Sequence, residues 1–332
     1  MRACEVHFDL DTRCNYRCVY CPNFDSPDAP KGPLSLAGFG RAMACLSRIC
    51  WHVFLSCAGE PLLHPDLRDM LASVHKRLGH TDTTLVTNGY LLDHARRDLV
   101  LSSGLSRLLV SIDSVDPERY RSLCGTGPDV LARVTSNVER LIQERGRRRW
   151  PKVTVAAIAM RSTLPGLAAV AQWACDAGLD GMRVQWLAPC GRPGMGAEVV
   201  GGDSPETRDA LRRVRQTLRS RGLHFDCPSD SGRAKARSVL AGAALMRNPV
   251  EYLVFSARMF LRSRRPRPCR MAGLSLTMLP DYSLHLCPQS VGAVGDASAD
   301  PAPLLAARIR AGTRALRRQA ATECRECRFR TL

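Results

Sequence analysis

The chain has 332 residues, 48 basic and 31 acidic, for a net charge of +17; it is long for one compact domain and short for two full ones, which argues for a main domain with an appendage. Of the basic residues 44 are Arg and 4 are Lys (Lys31, Lys76, Lys152, Lys235), aromatics are 5%, and no aromatic motif interleaves the basic runs at 147–149 and 262–267. The charge therefore reads as solvated faces and not as a nucleic-acid surface, with acidic or phosphate-bearing small substrates left open. The 15 cysteines, with no 18-residue apolar run and no signal-peptide pattern, exclude a membrane-spanning helix and a disulfide framework and point to a reducing, cytoplasmic compartment.

Strand-like apolar runs alternate with helical periodicity through the first half of the chain. Residues 6–10 read as a strand that leads directly into Cys14-x3-Cys18-x2-Cys21, with Tyr20 between the last two thiols. Three thiolates can hold three corners of a [4Fe–4S] cubane and leave the fourth iron open to a small molecule. Zinc is the competing occupant, although zinc knuckles usually pair C-x2-C units into sets of four. Helical spacing at 36–49 precedes a second strand at 51–56, which ends in Ser56-Cys57-Ala58-Gly59-Glu60-Pro61. A helix at 67–78 and a third strand at 83–87 follow, the latter ending in Thr87-Asn88-Gly89. After a helix at 91–102, the strand at 106–112 ends in Ser111-Ile-Asp113-Ser114. Helices at 117–124 and 130–145 lead to a continuous apolar strand at 153–160, a helix at 164–177, and a sixth strand at 182–187 that carries Gln185 and Leu187. Strict βα alternation demands a parallel sheet with right-handed crossovers, and six units fit a (β/α)6 partial barrel.

Past Cys190 the rhythm breaks. Residues 191–202 read as a Gly-rich loop, 205–220 as a basic amphipathic helix, 223–225 as a short apolar run and 233–262 as mostly helical. The apolar stretch 252–261 is expected to pack onto the barrel and not onto a membrane. A second cysteine set follows: Cys269, Cys287, Cys324 and Cys327, with two short strands joined at Pro280-Asp281 between the first pair. Four such thiols suit a closed site, either zinc or a fully ligated cluster.

The cysteine triplet, the Gly59-Glu60-Pro61 segment and the Ser111-x-Asp113 pair, each at its strand end, resemble the radical S-adenosylmethionine (SAM) enzymes over about residues 3–190. The resemblance implies a [4Fe–4S] cluster on Cys14, Cys18 and Cys21 that binds SAM, with Tyr20, Gly59, Glu60, Pro61, Thr87, Asn88, Ser111, Asp113, Gln185 and Leu187 as SAM contacts. Ala58 stands where the family motif has a first Gly. The second cysteine set resembles the twitch domain, a shortened SPASM domain, and implies an auxiliary cluster, making two [4Fe–4S] clusters in all. Three regions are expected: a barrel at 1–190, a basic and mostly helical connection at 191–268, and an α+β twitch domain at 269–332. Twitch-bearing relatives act on carbohydrates, so the expected reaction is epimerisation at a carbinol carbon of an oligosaccharide-type substrate. Cys190 at the barrel mouth is then the hydrogen-atom donor, with Cys227 in reserve, since a thiol S–H bond is weaker than a sugar C–H bond. Oxidation of that carbinol is the runner-up. Peptide modification ranks third, because only 13 residues precede Cys14 and a leader-binding domain finds no room there. The expected protein partner is a low-potential reductant such as flavodoxin or ferredoxin.

Overall fold

The computed structural model describes residues 4–21, 32–46, 50–55, 59–78, 82–187 and 192–227, together with three short strands further on. The chain divides into two compact units, one of Met1–Arg13, Ala29–Thr84 and Met246–Leu332, the other of Cys14–Asp28 and Leu85–Leu245.

In the first unit β1 (Cys4–Phe8) and β2 (Cys50–Leu55) pair in parallel, with Glu5 opposite His52 and His7 opposite Phe54. A parallel pair needs a crossover, and α1 (Leu36–Leu46) lies within it. Alternation along β1 sorts its faces. Val6 and Phe8 are fully buried, Phe8 edge-on to Phe39 of α1, while Glu5 and His7 take the opposite side. There His7 Nε2 lies 2.8 Å from the Glu5 carboxylate, His52 Nδ1 lies 3.8 Å from its other oxygen, and His52 Nε2 bonds the Thr84 hydroxyl at 2.8 Å. Both imidazoles pack on Phe54, with centroids 4.6 and 4.2 Å away. The helix α2 (Leu67–Leu78) buries Leu67, Met70, Leu71, Val74 and Leu78, a single stripe of helical period. The strand β3 (Asp82–Thr87) begins in the first unit and ends in the second.

The second unit continues through α3 (His94–Ser102), β4 (Arg107–Ser111), α4 (Pro117–Cys124), α5 (Val130–Arg145), β5 (Lys152–Ala159), α6 (Leu167–Asp176), β6 (Gly181–Trp186), α7 (Met195–Glu198), α8 (Pro205–Ser220) and β7 (His224–Asp226). Its strands run β4-β5-β6-β7, all parallel. Helix starts are set locally: the side chains of Asp93, Asp116 and Ser204 accept from the backbone N–H of the third residue of α3, α4 and α8, and Pro117 and Pro205 open the last two. The Asp180 carboxylate joins Arg145, Lys152 (2.9 Å) and the Val153 N–H (2.8 Å), tying α5 and β5 to the entry of β6.

Two sequence expectations are corrected here. Six strands are expected from the apolar runs, but β7 adds a seventh parallel strand, within a region expected to be helical. Its residues are half-buried and two of the three are polar, so the short apolar run at 223–225 is too brief to declare a strand. It fits because β6 opens with Gly181, where a Cβ would meet the His224 carbonyl at 2.5 Å. Residues 195–198, read as loop, form one helical turn. The basic helix at 205–220 is where the sequence puts it; it buries Ala210, Leu211, Val214 and Leu218, packs against α6, and turns its arginines outward.

Back in the first unit, β8 (Ser275–Met278) pairs parallel with β1, β9 (Ser283–His285) antiparallel with β8, and β10 (Gly295–Asp296) antiparallel with β9.

Candidate functional site

The cysteine loop belongs to the second unit and is held there by its backbone. Arg17 N–H donates to the Cys124 carbonyl (3.0 Å) and Val19 N–H to the Leu123 carbonyl (2.9 Å), so the loop runs along the C-terminal end of α4. Gly125 ends α4 in the left-handed region at φ 60°, and a Cβ there would lie 2.8 Å from the Arg17 carbonyl. Only glycine meets both conditions.

None of the three thiols is in a disulfide. Cys14 is exposed, and Cys18 and Cys21 are partly so. Among the described residues no three His, Cys, Asp or Glu side chains are gathered as a ready metal site. The donor chemistry nevertheless suits a cluster. The Cys124 thiol donates a hydrogen bond to Cys18 and pulls its pKa below the ordinary thiol range, while the same bond and burial push Cys124 up. A thiolate is the form that ligates iron. Cys14 Sγ accepts from the Tyr16 N–H at 3.4 Å and stands 3.9 Å from Asn88 Nδ2, which bonds Asn15 Oδ1 at 2.8 Å.

The strand ends of the second unit converge on this loop. Asp113, just past β4, is buried; its Oδ1 accepts from the Ile158 N–H of β5 at 2.7 Å, and its Oδ2 accepts from the Tyr20 hydroxyl. Burial pushes both Tyr20 and Asp113 up. Thr87 Oγ1 accepts from Gly89 N–H at 3.1 Å, and Asn88 Oδ1 from Tyr90 N–H at 3.0 Å, so these two polar residues also shape their own turn. Ser111 ends β4 part-exposed, Gln185 is exposed on β6, and Leu187 is buried just beyond it. Tyr16 and Tyr120 share a hydroxyl–hydroxyl bond of 3.1 Å behind the loop.

In the first unit, Gly59-Glu60-Pro61 packs against the residues leading into Cys14. A Cβ on Gly59 would lie 2.1 Å from the Asp11 carbonyl, and Glu60 N–H donates to the Arg13 carbonyl at 2.9 Å. Glu60 is buried, and its carboxylate accepts from Leu62 N–H at 3.0 Å, capping the turn that Pro61 opens. Cys227 is buried at the end of β7. Cys190, Cys269, Cys287, Cys324 and Cys327 lie outside the described residues. Sequence reasoning missed Asn15, Tyr16, Tyr120 and the closeness of Cys124 to Cys18. Each depends on contacts between segments far apart in the chain, and no local pattern signals them.

A family profile described as "Radical SAM superfamily" matches residues 11–161. A protein named probable GTP 3′,8-cyclase from Methanopyrus kandleri is 31% identical over 229 residues, covering 66% of this chain and 68% of that protein. The GTP 3′,8-cyclase of Microcystis aeruginosa is 29% identical over 151 residues, 44% of this chain and 40% of the relative. That of Yersinia pestis is 30% identical over 151 residues, 45% of this chain and 44% of the relative. The matched stretch thus spans about two fifths of these two bacterial relatives. Among solved structures, Streptococcus suis SuiB matches with a TM-score of 0.66 at 14% identity, covering 93% of this chain and 66% of that one. Native anSMEcpe with bound AdoMet and Cp18Cys peptide matches at 0.66 and 12% identity, covering 98% and 86%. These two likenesses establish the fold.

The chain belongs to the radical SAM superfamily. That membership implies SAM, one [4Fe–4S] cluster and an external reductant. The relatives overturn the expected reaction: they are named for ring closure on GTP, not for epimerisation or oxidation of a carbohydrate or for peptide modification. The reason lies in what the motifs encode. Strand-end residues that serve the shared cofactor are common to many superfamily reactions and do not read out the substrate. Among the described residues no helix is long and apolar enough to cross a membrane.

Proposed function

We propose that this chain is a radical SAM enzyme acting on a purine nucleoside triphosphate, with bond formation between ribose and base, as in the reaction for which its relatives are named. The observation that carries this reading is the 31% identity over 229 residues with the Methanopyrus protein, a stretch well beyond the segment 11–161 that the superfamily profile covers. A net charge of +17 is compatible with a polyanionic substrate.

In this reading Cys14, Cys18 and Cys21 hold the cluster, and the Cys124 hydrogen bond lowers the Cys18 pKa. Tyr20, Gly59, Glu60, Pro61, Thr87, Asn88, Ser111, Asp113, Gln185 and Leu187 are the residues assigned to SAM. Bound there, the cluster and SAM supply a 5′-deoxyadenosyl radical that takes hydrogen from unactivated carbon. Asp113 fixes the ring of Tyr20 through its hydroxyl, and Glu60 fixes the turn that carries Gly59 and Pro61. Residues 269–332 form the appendage, with Cys269, Cys287, Cys324 and Cys327 on an auxiliary cluster; 1–190 and 191–268 are the barrel and its connection.

The test uses anaerobically reconstituted protein with SAM, dithionite and GTP carrying deuterium at C3′. Deuterium should appear in 5′-deoxyadenosine as a cyclised nucleotide accumulates. Steady 5′-deoxyadenosine release without GTP consumption would remove the nucleotide from the reading, and no release from cluster-loaded protein would remove the catalytic reading altogether.

A further inference from the structure

We propose that Cys18 and Cys124 form a disulfide site, closed by hydrogen peroxide when the chain stands without its cluster and reopened by a dithiol. The proposal rests on superfamily membership only for the role of Cys18 as a cluster ligand. The pair is built by the backbone of the second unit. The residues on both sides of Cys18 donate into the end of α4, Arg17 N–H to the Cys124 carbonyl at 3.0 Å and Val19 N–H to the Leu123 carbonyl at 2.9 Å. A segment pinned on both sides of one residue holds that residue in place, so Cys18 lies against the last turn of α4. There its side chain and that of Cys124 share a hydrogen bond. Cys124 is the last residue of the helix, and Tyr120 and Leu123 are buried with it. Cys14 is held elsewhere: its Sγ accepts from the Tyr16 N–H at 3.4 Å and stands 3.9 Å from Asn88 Nδ2. The thiol that meets Cys18 thus comes from α4, 106 positions further along the chain.

The two sulfurs differ in access, and this sets the order of events. Cys18 is part-exposed, whereas Cys124 is 4% exposed. Peroxide therefore meets Cys18 first. The Cys18 sulfur attacks one peroxide oxygen and breaks the O–O bond, giving a sulfenic acid and one water. The Cys124 sulfur then displaces the sulfenic hydroxyl, which leaves with the Cys124 proton as a second water, and the S–S bond closes. Two thiols lose two electrons and one peroxide becomes two waters. Thiols already in hydrogen-bond contact need only a small approach to reach an S–S length of about 2.05 Å. A dithiol reopens the link by exchange. With no second thiol in reach, the sulfenic acid goes on to sulfinic and sulfonic acids, which a dithiol does not restore. Cys124 thereby keeps a cluster ligand recoverable after oxidation.

The experiment strips iron from the full chain with a chelator, reduces it, adds a stoichiometric amount of hydrogen peroxide and maps the cross-linked and oxidised peptides by mass spectrometry. The wild-type peptide with Cys18 should be joined to the peptide with Cys124. Iron uptake on reconstitution should fall after peroxide and return after dithiothreitol. In Cys124→Ala, Cys18 should instead be found as sulfinic or sulfonic acid, and the lost iron uptake should not return. Cys175→Ala removes another buried thiol, one that donates to the Thr217 carbonyl at 3.7 Å, and should behave as the wild type. A map that joins Cys18 to Cys14 or Cys21 would overturn the pairing. So would over-oxidation of Cys18 that is as fast in the wild type as in Cys124→Ala. Should the alanine variant not fold, Cys124→Ser takes its place, because a hydroxyl closes no S–S bond, and the wild-type map decides the pairing by itself. Nothing here is read through turnover, so failure of the nucleotide reading leaves this result intact.

Discussion

Gly125 carries two constraints at one position, a left-handed backbone and a 2.8 Å approach to Arg17, and the cysteine loop depends on both. Gly178 has the same backbone sign, at φ 73°, but its nearest neighbour would be a methyl of Ile142 at 3.6 Å. Gly178→Ala should therefore cost only the conformational penalty, about 1–2 kcal/mol. Gly125→Ala adds a backbone clash and should cost roughly 2–4 kcal/mol, measured as the shift in urea midpoint. It should also lower iron uptake on reconstitution, because the loop between Cys14 and Cys18 must move. Equal iron uptake in the two variants would show that Gly125 serves α4 alone. Residues of this kind were half legible. Cys14, Cys18, Cys21 and the strand-end polar residues declare themselves by spacing. Cys124, 106 positions beyond Cys18, declares nothing until α4 folds against the loop.

Among the elements, β1 to β6 were readable because strands of a covered parallel sheet are near-continuous apolar runs: all six residues of β2 are buried, and in β5 six of eight. The strand β7 was not, since its three residues are half-buried and its pairing with β6 rests on the room left by Gly181. That partial burial has a titratable consequence. Burial, with Lys152 next, holds the His224 imidazole below its ordinary range. The folded chain then favours the neutral ring, whereas the unfolded chain takes up a proton near pH 6.5. This contribution to stability is present above that pH and is lost as pH falls through the lower folded value. Urea midpoints between pH 8 and 5 should fall more gently in His224→Gln than in the wild type, and parallel curves would show that β7 has no part in the pH response.

At the scale of the whole molecule, the chain carries two cysteine sets, of which the structure describes the first. If both bear cubanes, reconstituted protein should bind about eight iron, and replacing Cys14, Cys18 and Cys21 together by Ala should leave about four, with a cluster spectrum. One zinc and no cluster in that variant would assign the C-terminal thiols to zinc. The fold class was legible from alternation alone, whereas the substrate was not, because it is read by side chains that obey no strand-end pattern. The pile of His7, Phe54 and His52 rings, tied to Glu5 and Thr84, carries this point further. Three rings and a carboxylate already fill the middle of one face of β1 and β2. A substitution that opens room on this face must first dismantle a hydrogen-bonded stack. For anyone redesigning this chain, that face of β1 and β2 is costly ground, because each ring there is held by its neighbours.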